Sequence, residues 1–187
     1  MPMKIRISPE TVLFYAVMAI TQKQLFLAAT LAALFHECGH LLAARLLSIR
    51  LRSIELDLFG ARIYPAAQIP SYRAELLLAA AGPAFSLLLG LLLLPHAFPF
   101  ARLVLTATLS FALFNSAPIA GFDGGRILYC LLARLFGITV AEEILSVTTY
   151  LTLLLLFALS SCMLLRFGQN LALTVLTASL FARQFLK

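Results

Sequence analysis

Long apolar runs separated by short polar stretches dominate the chain. Segments 24–48, 74–95, 99–118 and 140–165 each meet the roughly 20 mostly apolar residues that a membrane-crossing helix requires. Two further runs, 11–20 and 171–185, are shorter. Polar breaks fall at 21–24, 49–73, 95–99, 119–139 and 166–170. The pattern predicts an all-α polytopic membrane protein of about six transmembrane helices, the first and last short or tilted. Residues 53–65 follow another period. Ile54, Leu56 and Leu58 alternate with Ser53, Glu55 and Asp57, Gly60 interrupts, and Ala61-Arg62-Ile63-Tyr64 resumes. Alternation of period two reads as a β-strand or hairpin. It is placed at the membrane surface just past the second helix, either with an open edge or as a plain connector.

Composition strengthens the membrane reading. Of 187 residues, 62% are hydrophobic and 12% charged, against about 45–50% and 25% in soluble domains. The net charge of +6 does not point to nucleic acid, because the Lys and Arg residues stand singly near the ends of apolar runs. With the N-terminus inside, only Lys23, Arg102 and Arg166 of the fourteen cations lie outside. If the first run does not cross, Lys4 and Arg6 join them. In both cases the loops after the second and fourth helices face the cytoplasm, and six crossings put both termini there. Cys38, Cys130 and Cys162 lack disulfide spacing and are expected as buried free thiols. No cleavable signal is expected, since Pro9 and Glu10 interrupt the N-terminal stretch.

Chemistry concentrates in the second run at His36-Glu37-Cys38-Gly39-His40. Residues i and i+4 share a helical face about 6 Å apart along the axis, so both imidazoles can reach one metal ion. Glu37 projects about 100° around from His36, placed to take a proton from metal-bound water without being a ligand. Cys38 points away from His36 and is not a ligand, and Gly39 leaves room for a neighbouring helix. An ionisable group in a membrane helix costs roughly 3 kcal/mol unless paired or coordinated, so this cluster signals function. A polar glue between helices is the plain alternative. Catalytic zinc usually takes three protein ligands and leaves a fourth position for water. Asp123 is a natural third ligand, within a stretch broken by Pro118, Gly121, Gly124 and Gly125. Such irregular backbone is tolerated at depth only where protein or water satisfies it. Gly82-Pro83 in the third run is read as a packing kink, with a direct chemical role as the alternative, and His96 as a loop histidine.

Taken together, His36-Glu37-x-x-His40, Gly82-Pro83-x-x-Ser86 and Asn115-x-x-Pro118 followed by Asp123-Gly124-Gly125-Arg126 resemble the site-2 protease family of intramembrane zinc metalloproteases. The compact layout is most similar to the branch that includes stage IV sporulation protein FB. The resemblance implies one zinc per chain on His36, His40 and Asp123, with Glu37 as base and Asn115 near the catalytic centre. It also implies a membrane-embedded or membrane-associated protein substrate, a sporulation sigma-factor precursor in that branch, and a membrane regulatory partner or a homo-oligomer. Residues 1–187 are expected to form a single domain, with no appended regulatory or peptide-binding domain. Two other functions compete. A catalytically silent zinc-binding scaffold is opposed by the intact Glu37. A metal transporter is opposed by the lack of further intramembrane carboxylates and repeated halves.

Overall fold

A computed structural model describes residues 4–7, 9–57, 60–65, 69, 71–168 and 171–185. The chain divides into two compact units, Met1–Ser116 and Ala117–Lys187. In the first, β1 (Lys4–Ile7), α1 (Pro9–Thr21) and α2 (Lys23–Leu46) precede β2 (Leu51–Asp57) and β3 (Gly60–Pro65). Then come α3 (Tyr72–Leu93) and α4 (Pro99–Asn115). The second unit comprises α5 (Asp123–Phe136), α6 (Ile138–Phe167) and α7 (Leu171–Phe185). Among the described residues, Lys23–Leu46, Tyr72–Leu93 and Ile138–Arg166 are long and apolar enough to cross a membrane. At 1.5 Å per residue they span roughly 33–44 Å, more than the ~30 Å hydrocarbon core. Pro99–Asn115 is apolar but shorter.

The interior of the first unit reverses the usual soluble pattern. On α2 the buried positions include Ala28, Ala32, His36, His40 and Ala44; on α3 they include Ala74, Leu78, Gly82, Ser86 and Gly90; on α4, Val104, Thr108 and Ala112. Each series advances by four residues and so forms a continuous ridge along its helix. Leu34, Leu41, Leu42, Leu87, Leu88 and Leu91 point outward. Lipid tails are as apolar as leucine, so helices in a bilayer associate through small residues that let backbones approach and through polar contacts. Gly39 shows how close that approach is: a Cβ there would collide with the Ala81 carbonyl of α3.

Local signals set the helix ends. Ser71 caps α3, its Oγ accepting from the Ala74 N–H at 3.2 Å. Pro99 opens α4 in the first turn, where a missing N–H is harmless. At the end of α2, Ser48 adopts a left-handed φ of 55°, and the Ile49 and Ser48 N–H groups bond back to the Ala44 and Arg45 carbonyls. This closes the last turn and turns the chain into β2. α3 continues through Pro83. The proline only withholds one hydrogen bond, and packing on both sides maintains the helix.

The expected hairpin is present, with one strand that the alternation did not reveal. β2 and β3 pair antiparallel, with Ile54 opposite Ile63 and Asp57 opposite Gly60. β1 adds to β2 in parallel, with Lys4 opposite Ser53 and Ile7 opposite Leu56. A parallel pairing needs a crossover, and α1 and α2 supply it. Four residues are too few for periodicity to single out as a strand. Among the described strands the order is β1-β2-β3, so β3 is an edge.

In the second unit, the stretch 119–139, expected as a polar break, contains helix α5. Its two leading glycines and its Arg126 and Arg134 make a poor spanning segment, yet Ile127, Leu128, Leu131, Leu132 and Leu135 follow a helical period. α5 packs on α6 and α6 on α7. Gly137, at φ 89°, ends α5 and starts α6, a conformation costly for any residue with a Cβ. Ser160 Oγ and Thr177 Oγ1 lie 3.3 Å apart in the buried contact of α6 with α7. The cysteines are free as expected, but only Cys130 is buried, while Cys38 and Cys162 face outward.

Candidate metal centre

The ridge on α2 carries two imidazoles into the interior of the first unit. His36 is 2% exposed and His40 6%. Their Nε2 atoms lie 3.2 Å apart and the rings meet edge-on, with centroids 4.9 Å apart. Two nitrogens bound tetrahedrally to zinc at about 2.0–2.1 Å are separated by about 3.3 Å. The separation of the pair is the one that two nitrogen ligands of a single zinc ion would need.

Each ring is held from behind, the arrangement typical of metal-binding histidines. His40 Nδ1 donates to the Leu78 carbonyl at 2.8 Å. A carbonyl can only accept, so in neutral His40 the lone pair sits on Nε2, facing His36. His36 Nδ1 lies 3.0 Å from Oγ of the fully buried Ser86. Phe111 of α4 packs edge-on against His36, with centroids 5.6 Å apart, and walls that side of the site with an apolar ring. Position 82 keeps the space beside both Nε2 atoms open. A Cβ there would collide with His40 Nε2 and come within 2.6 Å of His36 Nε2. Gly82 thus leaves space beside both rings, as close helix packing requires.

Glu37 is half-buried, with its Oε2 atom inside the protein, and outward-facing Cys38 stands apart from the histidines. Asn115, half-buried, is the last residue of α4, one turn beyond Phe111. Its Nδ2 donates to the Phe111 carbonyl at 3.0 Å. His96 lies in the connection between α3 and α4, exposed, with its ring 6.0 Å from that of Phe98.

In the second unit, Asp123 is the first residue of α5 and 8% exposed. A carboxylate in the first turn of a helix is favoured by the unpaired N–H groups there. The loop before it has its polar backbone satisfied. Ile119 N–H bonds to Ala117, Phe122 N–H to Ile119, and Ala120 N–H to Thr149 Oγ1 at 2.9 Å. Thr149 is fully buried and passes its own hydrogen to the Leu145 carbonyl. Gly125 lets this loop fold onto α5, since a Cβ would strike the Ile119 carbonyl.

Sequence reasoning had singled out both histidines, Glu37, Asn115 and Asp123, and the structure brings the two histidines together. It had not assigned the partners behind them: the Leu78 carbonyl, Phe111 and Ser86, the last quoted only as part of Gly82-Pro83-x-x-Ser86. Only Ser86 left a trace in the sequence, one turn after Gly82 on the same face.

Residues 24–101 match the model of Peptidase family M50, a span holding the histidine pair and Gly82-Pro83-x-x-Ser86. No curated protein sequence matches the chain. Among solved structures, the fold is similar to that of the Site-2 Protease from Methanocaldococcus jannaschii. The two are 22% identical, with a TM-score of 0.67 over 100% of this chain and 91% of that one. At that identity the likeness shows a shared fold: that of a site-2 protease.

Proposed function

We propose that the chain is a zinc-dependent intramembrane endopeptidase of the site-2 type. The observation that carries the proposal is the convergence of two back-braced imidazoles at 3.2 Å, with Glu37 next to His36 in sequence, on a helix able to cross a membrane. The match to a peptidase family over the same helix supports it. With Asp123 as the third ligand beside His36 and His40, the donor set is two imidazoles and one carboxylate, which leaves a fourth position for water.

Zinc, when bound, supplies Lewis-acid polarisation and makes water acidic enough to lose a proton near neutral pH. Glu37 takes that proton and returns it to the leaving nitrogen as the peptide bond breaks. Asn115 provides an amide donor at the end of α4. Turning Nδ2 from the Phe111 carbonyl toward the substrate would let it stabilise developing negative charge. Phe111 and the small-residue packing of α2, α3 and α4 keep bulk water from the histidines. Edge strand β3 can hold an unwound substrate extended, since a helical peptide hides its carbonyls in its own hydrogen bonds.

The substrate class is a membrane-embedded or membrane-associated protein. The sporulation branch, with a sigma-factor precursor as substrate, is supported by the compact order of the motifs alone. The six apolar runs support six crossings, and the excess of Lys and Arg near one set of helix ends supports a site toward the cytoplasm. The test measures zinc and proteolysis in the same preparations of wild type, His40→Ala, Asp123→Ala and Glu37→Gln. One zinc per chain is expected in wild type and Glu37→Gln, with much less in the other two, and proteolysis in wild type alone. Full zinc in Asp123→Ala would remove that residue from the ligand set. Proteolysis by Glu37→Gln would overturn its role as base.

A further inference from the structure

Away from the histidines, the first unit holds a cavity of about 310 Å³. Leu31 and Phe35 of α2, Leu93 of α3, and Phe98, Ala101 and Val104 around the start of α4 line it, and every residue in its wall is apolar. These contacts, with that of His36 and Phe111, set α2 and α4 side by side in the same direction. The cavity therefore lies toward the end where both helices begin and α3 finishes. Leu31 is 45% exposed and Phe98 55%, so it reaches the surface there. A buried water is held by about two to four polar partners, and this wall offers none. An apolar chain, gaining dispersion contacts with the wall, is the occupant that fits. If a methylene takes up roughly 30 Å³, the share of one liquid water, there is room for about ten carbons.

Charge at the same end says what carries the chain. Lys23 opens α2, Arg102 follows Ala101, and the His96 ring lies 6.0 Å from that of Phe98; all three are exposed. The sequence has no Asp or Glu between Glu10 and Glu37, nor between Glu75 and Asp123. The end of α1, the starts of α2 and α4 and the end of α3 thus bring basic groups together without a carboxylate. Neither α2 nor α4 has a side-chain cap at its start, so first-turn N–H groups add positive partial charge. We infer that this end of the first unit binds an anionic phospholipid, with one acyl chain in the cavity and the phosphate held by Lys23 and Arg102. A zwitterionic headgroup brings its own cation beside these residues, so the site selects by charge. The inference does not depend on the peptidase reading and holds for the metal-free protein.

The chain has no tryptophan, so Phe98→Trp supplies a single fluorescent reporter beside the cavity. The whole chain is reconstituted in phosphatidylcholine bilayers with rising fractions of a lipid bearing brominated, quenching chains. That lipid carries either a phosphatidylglycerol or a phosphatidylcholine headgroup. Phosphatidylglycerol is expected to be preferred roughly 5- to 25-fold, at about five-fold per cation. Lys23→Gln and Arg102→Gln, both at exposed positions, are each expected to lower the preference about five-fold. Leu31→Phe and, separately, Leu93→Phe narrow the cavity and are expected to remove the preference while both cations remain. Native mass spectrometry, which needs no reporter, is expected to retain one phosphatidylglycerol per wild-type chain and less in Lys23→Gln/Arg102→Gln. Equal quenching by the two lipids would overturn the site, as would a preference that neither cation variant changes. A preference kept by both narrowed variants would overturn the acyl chain's place in the cavity.

Discussion

Position 82 decides whether two imidazoles make a metal site or only a packed pair. A methyl group there would occupy the space next to both Nε2 atoms. Gly82→Ala is therefore expected to lower zinc affinity on the order of 100-fold, a loss like that from disturbing other groups around a metal. Titration against a chelator checks this, and wild-type affinity would mean that the ion does not sit between these rings. The histidines were legible in the sequence because a spacing of four places both on one face whatever surrounds the helix. The roles of Ser86 and the Leu78 carbonyl were not, because they depend on how α3 lies against α2, and no local spacing encodes that. Phe111 was hidden for the same reason, as one aromatic residue in an apolar run.

At the scale of elements, an average of hydrophobicity shows where helices run but not which face turns inward. The ridges of small and polar residues at every fourth position of α2, α3 and α4 do carry that information. They read differently from a soluble protein because leucine faces outward here. Helix α5 was missed for a related reason, as its glycines and arginines break a spanning pattern while leaving an amphipathic one. The loop preceding it depends on Thr149. Thr149→Val leaves the Ala120 N–H without its partner and is expected to destabilise the protein by about 1–3 kcal/mol. Thermal unfolding in detergent measures the effect, and an unchanged midpoint would assign the loop's order to other contacts. β3 can be tested separately. Proline is tolerated at a sheet edge but donates no hydrogen bond, so Ile63→Pro is expected to slow cleavage several-fold while zinc content stays at the wild-type level. Unchanged cleavage would reject substrate pairing along this edge.

For the whole molecule, leucines face outward in each unit while small residues and a few polar ones lie inside, so the bilayer is part of the fold, and the need for a membrane followed from composition. Orientation rests on the distribution of positive charge and has its own test. In a background lacking Cys38, Cys130 and Cys162, Arg50→Cys is expected to react with a membrane-impermeant maleimide only after lysis, and His96→Cys in intact cells. The opposite pattern would invert the topology. The pairing of a metal site with a hydrolytic function is the central claim. Its most direct test compares new protein N-termini in host membranes that express wild type or Glu37→Gln at equal levels. New termini found only with wild type, within or beside membrane segments of other proteins, are the predicted result and would identify the substrate. Identical termini in both, with zinc bound to each, would contradict a peptidase and leave a zinc-binding membrane scaffold.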